Sequence, residues 1–247
     1  MKSEIRCFQH LLDLSRAAAE FICELAEARI KDKNIFTLVL SGGSTPRLLY
    51  EELASQPIAS RMDWQHTHLF WGDERFLPPD HPDSNFSLAF KSLISKVDFP
   101  PENINRVPTE IGSAQAAAEE YEKTLRKFFP PSVGGEQERY FPSFDLVLLG
   151  LGQDGHTASL FQGEAALEER DRWVVAVAGV NASPPVERIT LTLPPINQAR
   201  YVIFLASGSH KREVFQQVVN NPETSSYPAA RVNPSGGLLW FIDEGLA

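Results

Sequence analysis

Apolar residues return every third or fourth position across residues 11–30 and again across 114–128, the spacing that lines one face of a helix. Between them, residues 36–40 and 66–71 are short, nearly unbroken apolar runs that read as strands, and 84–94 reads as a helix. Further strands are predicted at 145–149, 173–177, 188–193, 201–206 and 238–242, with a helix at 211–219 between the last two. Strands alternating with helices predict an α/β protein built on a mostly parallel sheet covered on both faces. Residues 130–142 carry Pro-Pro, Gly-Gly and several charges and read as an exposed loop, as do 181–187. The strands beyond residue 130 read as continuations of one sheet, so a single domain over residues 1–247 is expected.

Glycine and charge cluster where the apolar runs stop. Residues 144–161 read FDLVLLGLGQDGHTASLF: a buried parallel strand, a Gly-x-Gly turn, then Asp154, Gly155 and His156 together. Ligands of open α/β sheets bind beyond the carboxyl ends of strands, and histidine is the side chain whose ordinary pKa lies nearest neutrality. His156 is therefore the candidate general base. A structural histidine in a glycine turn is the plainer alternative, and three other segments argue against it.

Residues 38–49, LVLSGGSTPRLL, pass from a strand through a glycine turn into a helix, with Thr45 as expected N-cap and Pro46 at the first helical position. Unpaired amides at such a helix start form an anion site, whereas the absent Gly-Lys-Ser/Thr ending excludes a nucleotide P-loop. Residues 71–76, WGDERF, set Asp73, Glu74 and Arg75 after another strand, and the planar guanidinium of Arg75 suits a phosphate or carboxylate. Residues 204–214, FLASGSHKREV, place His210, Lys211 and Arg212 in a first helical turn, against the helix dipole, a cost that a bound anion offsets. No Gly-x-Ser-x-Gly elbow and no His-Glu-x-x-His motif occurs, so water activated by His156 is a better attacker than a serine.

Composition narrows the partners. With 43% hydrophobic and 22% charged residues the chain is an ordinary globular sequence, and its net charge of -9 argues against nucleic acid. A small anion remains suitable if cations gather in one pocket. Cys7 and Cys23 lack metal-ligand spacing and number too few for a disulfide framework, so free thiols in a reducing compartment, the cytoplasm, are expected. The N-terminal residues show no signal-peptide core, and apolar runs such as 174–180 are too short to span a bilayer.

Five segments, SGGSTP at 41–46, GDER at 72–75, GLGQDGHTASLF at 150–161, RITLTLPPIN at 188–197 and WFIDE at 240–244, occur in the order found in the 6-phosphogluconolactonase family, which the chain resembles nearly end to end. The resemblance implies a three-layer, Rossmann-like fold similar to the glucosamine-6-phosphate isomerases, and cofactor-free hydrolysis of a phosphorylated sugar lactone by a chain expected to be a monomer. It implies His156 as general base; Arg75 and Lys211 as phosphate-binding cations, helped by the amides of Gly42, Gly43 and Ser44; and Asp73 as an acid that orients substrate hydroxyls or His156. The oxyanion donors are expected among the turn amides around 152–155 or a nearby side chain. Gln162 departs from the proline that commonly follows Leu-Phe, and Asn233 lies in a variable loop. In the related deaminases the histidine is followed by Ile-Ala-Phe-Asn-Glu-Pro with a working glutamate; here Thr157, Ala158, Ser159, Leu160, Phe161 and Gln162 follow. A sugar-phosphate sensor attached to a transcription regulator is the non-enzymatic alternative, but no basic DNA-binding extension is evident.

Overall fold

The computed structural model describes residues 3–131, 140–180 and 182–247. In chain order its elements are β1 (Glu4–Phe8), α1 (Leu11–Lys33), β2 (Phe36–Leu40), α2 (Ser44–Leu53), α3 (Ile58–Arg61), β3 (Thr67–Trp71), β4 (Asp73–Arg75), α4 (Asn85–Ser92), α5 (Ala114–Phe128), β5 (Leu146–Gly150), β6 (Val174–Val177), β7 (Arg188–Leu191), α6 (Leu193–Asn197), β8 (Tyr201–Ala206), α7 (Arg212–Asn220) and β9 (Gly237–Asp243). Six strands form a parallel sheet in the order β1-β9-β8-β5-β2-β3. All five residues of β2 are buried, as are the first four of β5. Because neighbouring side chains on a strand point to opposite faces, the α/β sheet is covered on both sides, as predicted.

The strands beyond residue 130 do not all continue that sheet. β6 and β7 pair antiparallel and join β4 in a separate three-stranded sheet, β4-β7-β6. β4 itself is the charged triplet Asp-Glu-Arg, which extends because β7 offers it a partner: Asp73 lies opposite Thr190 and Arg75 opposite Arg188. β1, absent from the sequence reading, closes the far edge of the parallel sheet against β9. Of the two expected loops, residues 132–139 and 181 lie outside the described residues, and 182–187 carry no helix or strand.

Buried polar groups fasten the helices to the strand ends. Arg29 of α1 donates to Asp145 at 2.6 Å, just ahead of β5, and the other Asp145 oxygen accepts from Thr37 N and Oγ1 of β2, both at 3.0 Å. Such a pair stabilises only while complete, because truncating either partner strands a buried charge. At the opposite, carboxyl edge, the Tyr50 hydroxyl bridges the backbone of Ser41, accepting from N at 3.0 Å and donating to O at 2.6 Å. Tyr121 does the same to Trp71. The two phenols fix the ends of the adjacent strands β2 and β3, where the sheet delivers its loops.

Candidate active site

The parallel sheet reverses direction of growth at β2, which has β3 on one side and β5 on the other. The crevice beyond such a reversal is where open α/β sheets bind ligands. The loops leaving β2, β3, β5 and β8 meet there around one cavity of about 620 Å³, and His156, Asp73, Gly42, Gly43, Ser44, Arg75 and Lys211 all line it.

The loop after β2 turns earlier than expected. Helix α2 begins at Ser44, with Gly43 as N-cap at φ 108, a left-handed backbone that favours glycine. Thr45 is therefore inside the first turn and makes no capping bond, and Pro46 is the third helical residue. The ladder's first bond runs from Arg47 N to Gly43 O at 3.4 Å, so the amides of Ser44 and Thr45 precede it and remain available at the positive end of the helix.

His156 sits in the turn after β5. Its Nδ1 is 2.5 Å from Asp154 Oδ1, and its ring lies 4.7 Å from that of Phe161. Donating Nδ1–H to Asp154 fixes the tautomer and leaves the Nε2 lone pair as proton acceptor. The same contact holds the Asp154 carboxyl below the usual carboxylate range. Asp154, noticed in the sequence only as part of its triplet, is thus the partner that orients the histidine; its spacing of two residues across a glycine turn was the available signal. Gly152 N and Gly155 N already donate to His156 O and Gly152 O, so of the expected oxyanion donors these two are spent, while Gln153 N and Asp154 N donate to no other residue among the described ones.

Asp73 contacts other groups. Ser159 Oγ donates to its Oδ2 at 2.6 Å and Asn85 Nδ2 to its Oδ1 at 3.3 Å, while Arg188 Nη1 lies 4.0 Å away. Asn85 and Arg188 line the cavity and were not singled out in the sequence. Arg188 is 3% exposed; burial lowers its pKa and Asp73 opposes that shift. Its position at the head of an otherwise uncharged strand was the one local sign. Glu74 faces away from this chemistry and caps α4, accepting from Asn85 N and Phe86 N at 2.7 Å and from Ser84 Oγ at 3.1 Å. Burial pushes its carboxyl up to about 7, against donors that favour the ionised form.

Two cations stand ready for an anion. Arg75 donates one Nη to Asp83 O at 2.6 Å and keeps a buried Nε without a partner among the described residues. Lys211 ends a 3-10 turn, Ser209–Lys211, and is the N-cap of α7, so Lys211 and Arg212 stand at the positive helix end and His210 lies before it. Burial lowers the Lys211 pKa, with Asp243 opposing the shift. Lys211→Ala should therefore weaken binding of a phosphorylated ligand about 10-fold or more, the scale of one hydrogen bond to a charged group. In the unmodified protein affinity should fall on the alkaline side at a lower pH than for an ordinary lysine, since the lowered pKa releases the proton earlier; Lys211→Arg should abolish that fall. Calorimetric titration across pH checks both.

Residues 10–240 match the family model described as glucosamine-6-phosphate isomerases/6-phosphogluconolactonase. A 6-phosphogluconolactonase of a Nostoc species is 41% identical over 244 residues, covering 98% of this chain and 96% of that protein. The solved 6-phosphogluconolactonase of Trypanosoma brucei superimposes with a TM-score of 0.87 at 32% identity, covering 100% of this chain and 98% of the other. A monomeric glucosamine-6-phosphate deaminase shares the fold at a TM-score of 0.79 and 20% identity, covering 98% of each chain. The chain belongs to the glucosamine-6-phosphate isomerase/6-phosphogluconolactonase family.

Proposed function

We propose that the protein hydrolyses 6-phospho-D-glucono-1,5-lactone to 6-phospho-D-gluconate, the second step of the oxidative pentose phosphate pathway. The observation that carries this reading is one cavity holding both an imidazole braced by a carboxylate and, around it, Arg75, Lys211 and the Ser44 amide. The near full-length likeness to 6-phosphogluconolactonases supports it.

The phosphate binds Arg75, Lys211 and the amides of residues 42–44, and that binding energy positions the lactone carbonyl. Nε2 of His156 takes a proton as water oxygen attacks C1. The resulting oxyanion accepts from the turn amides that donate to no other residue, Gln153 N–H and Asp154 N–H. Collapse breaks the bond between C1 and the ring oxygen, which recovers the proton from His156 and leaves as the C5 hydroxyl. The new carboxylic acid then ionises, releasing one proton per turnover. Asp154 keeps the imidazole aligned throughout, and Asp73 accepts from a substrate hydroxyl. The site acts in the cytoplasm, where Cys7 and Cys23 stay free thiols.

Phe161 favours hydrolysis over deamination. It is the fifth residue after His156, where the deaminases carry their glutamate, and neither it nor Gln162 brings an ionisable group to the cavity. Isomerisation with deamination needs further acid and base groups to move protons between sugar carbons. The purified protein should acidify freshly made 6-phosphogluconolactone and release no ammonia above background from glucosamine 6-phosphate. Ammonia without acid release would reverse the assignment.

A further inference from the structure

Ser159 is fully buried, yet its hydroxyl reaches across 86 positions of sequence to the cavity-lining carboxylate of Asp73. Its backbone is built to aim it. Ala158 adopts φ 48, a left-handed conformation uncommon outside glycine, and Leu160 N closes the turn on Thr157 O at 2.9 Å. Thr157 Oγ1 ties the turn to Gly150 O at 2.9 Å, and Ser159 N donates to Thr190 Oγ1 at 3.2 Å. Thr190 in turn pairs with Asp73 in the small sheet. The segment is therefore anchored to β5 through Gly150 and to β7 through Thr190, with the Ser159 hydroxyl on Asp73 of β4.

Each hydrogen-bond or ion-pair partner of the Asp73 carboxylate among the described residues offers it a proton or positive charge: Ser159 Oγ–H, Asn85 Nδ2–H and, at 4.0 Å, Arg188. A carboxylate so surrounded has a fixed orientation and acts as an acceptor. Of these contacts the one from Ser159 is the shortest, and the serine hydroxyl has no other acceptor among the described residues. Truncating it leaves a buried carboxylate oxygen short of its donor, free to rotate away from substrate.

We infer that Ser159 is a positioning residue for lactone hydrolysis, locking the Asp73 carboxylate in the orientation that receives a substrate hydroxyl. The inference rests on the proposed lactonase reading and adds a residue to it. Because Ser159 acts through Asp73 and among the described residues makes no hydrogen bond to Arg75, Lys211 or residues 42–44, its removal affects alignment of the bound lactone more than capture of its phosphate.

A double-mutant cycle with Asp73→Asn tests this. Ser159→Ala should lower kcat for the phosphorylated lactone about 10-fold or more, the worth of one hydrogen bond to a charged group, with KM and 6-phosphogluconate affinity changed less than about two-fold. In the Asp73→Asn background the same substitution should change kcat less than about two-fold. If Ser159→Ala does not fold, Ser159→Cys, close in volume and a weaker donor, enters the same cycle with the same expectation of non-additivity. Undiminished kcat, additive losses in the two backgrounds, or a loss confined to KM would overturn the role of Ser159. An unmodified protein that releases no acid from the lactone would remove the underlying reading as well, so the two failures are told apart by the unmodified chain.

Discussion

Replacing His156 with alanine should lower kcat for 6-phosphogluconolactone by about 100-fold or more, the usual scale for losing a general base. Affinity for 6-phosphogluconate should stay within about two-fold, because the proposed phosphate-binding groups, Arg75, Lys211 and the amides of 42–44, line the cavity separately from the imidazole. The separation follows from the geometry. His156 is held by Asp154 and packed on Phe161, and among the described residues it makes no hydrogen bond to Arg75 or Lys211. Removing the ring therefore leaves the anion site standing. Stopped-flow acid release gives kcat, and calorimetry with 6-phosphogluconate gives affinity. A variant with undiminished kcat would remove His156 from the mechanism.

Gly152→Ala should come close to the same loss without touching a functional side chain. A Cβ at Gly152 would stand 2.1 Å from His156 Nδ1 and 2.6 Å from Asp154 Oδ1, well inside contact distance of both members of the hydrogen-bonded pair. Both atoms belong to side chains that can swing away, so relief is structurally cheap, and it parts the imidazole from its carboxylate. The expected outcome is a fall in kcat of about 100-fold, with an unfolding midpoint near that of the unmodified protein and 6-phosphogluconate still bound. Full activity in Gly152→Ala would mean that the His156–Asp154 contact has no part in turnover.

Much of the frame is legible because it is local. The periodicity of α1 and α5 and the apolar runs of β2, β5 and β8 each carry their own signal, and glycine turns at strand ends mark where the cavity forms. What was missed depends on distant partners. β4 is three charged residues that become a strand only through β7, and β1 is a short, charge-bearing edge strand defined by its pairing with β9. The expectation of one continuous sheet failed for the same reason, since nothing in the runs at β6 and β7 says which neighbour they will take. Within the site, His156, Arg75 and Lys211 could be singled out by residue type beside glycine turns. The contacts of Asp73 with Ser159 and Asn85 join residues 86 and 12 positions apart, and no spacing rule reveals them. The turn at Gly43 was misread by two residues because Thr45-Pro46 resembles a cap and first helical position, whereas the positive φ of Gly43 starts the helix sooner.

Phosphate anchoring of a lactone to be opened by His156 is the central claim, and a side-by-side acid-release measurement tests it most directly. Freshly made 6-phosphogluconolactone and glucono-1,5-lactone are each titrated with the protein, with the uncatalysed hydrolysis subtracted. Arg75 and Lys211 together are worth on the order of 100-fold as two charge-assisted contacts, so kcat/KM should favour the phosphorylated lactone by at least that factor. Equal kcat/KM for the two lactones would contradict the account.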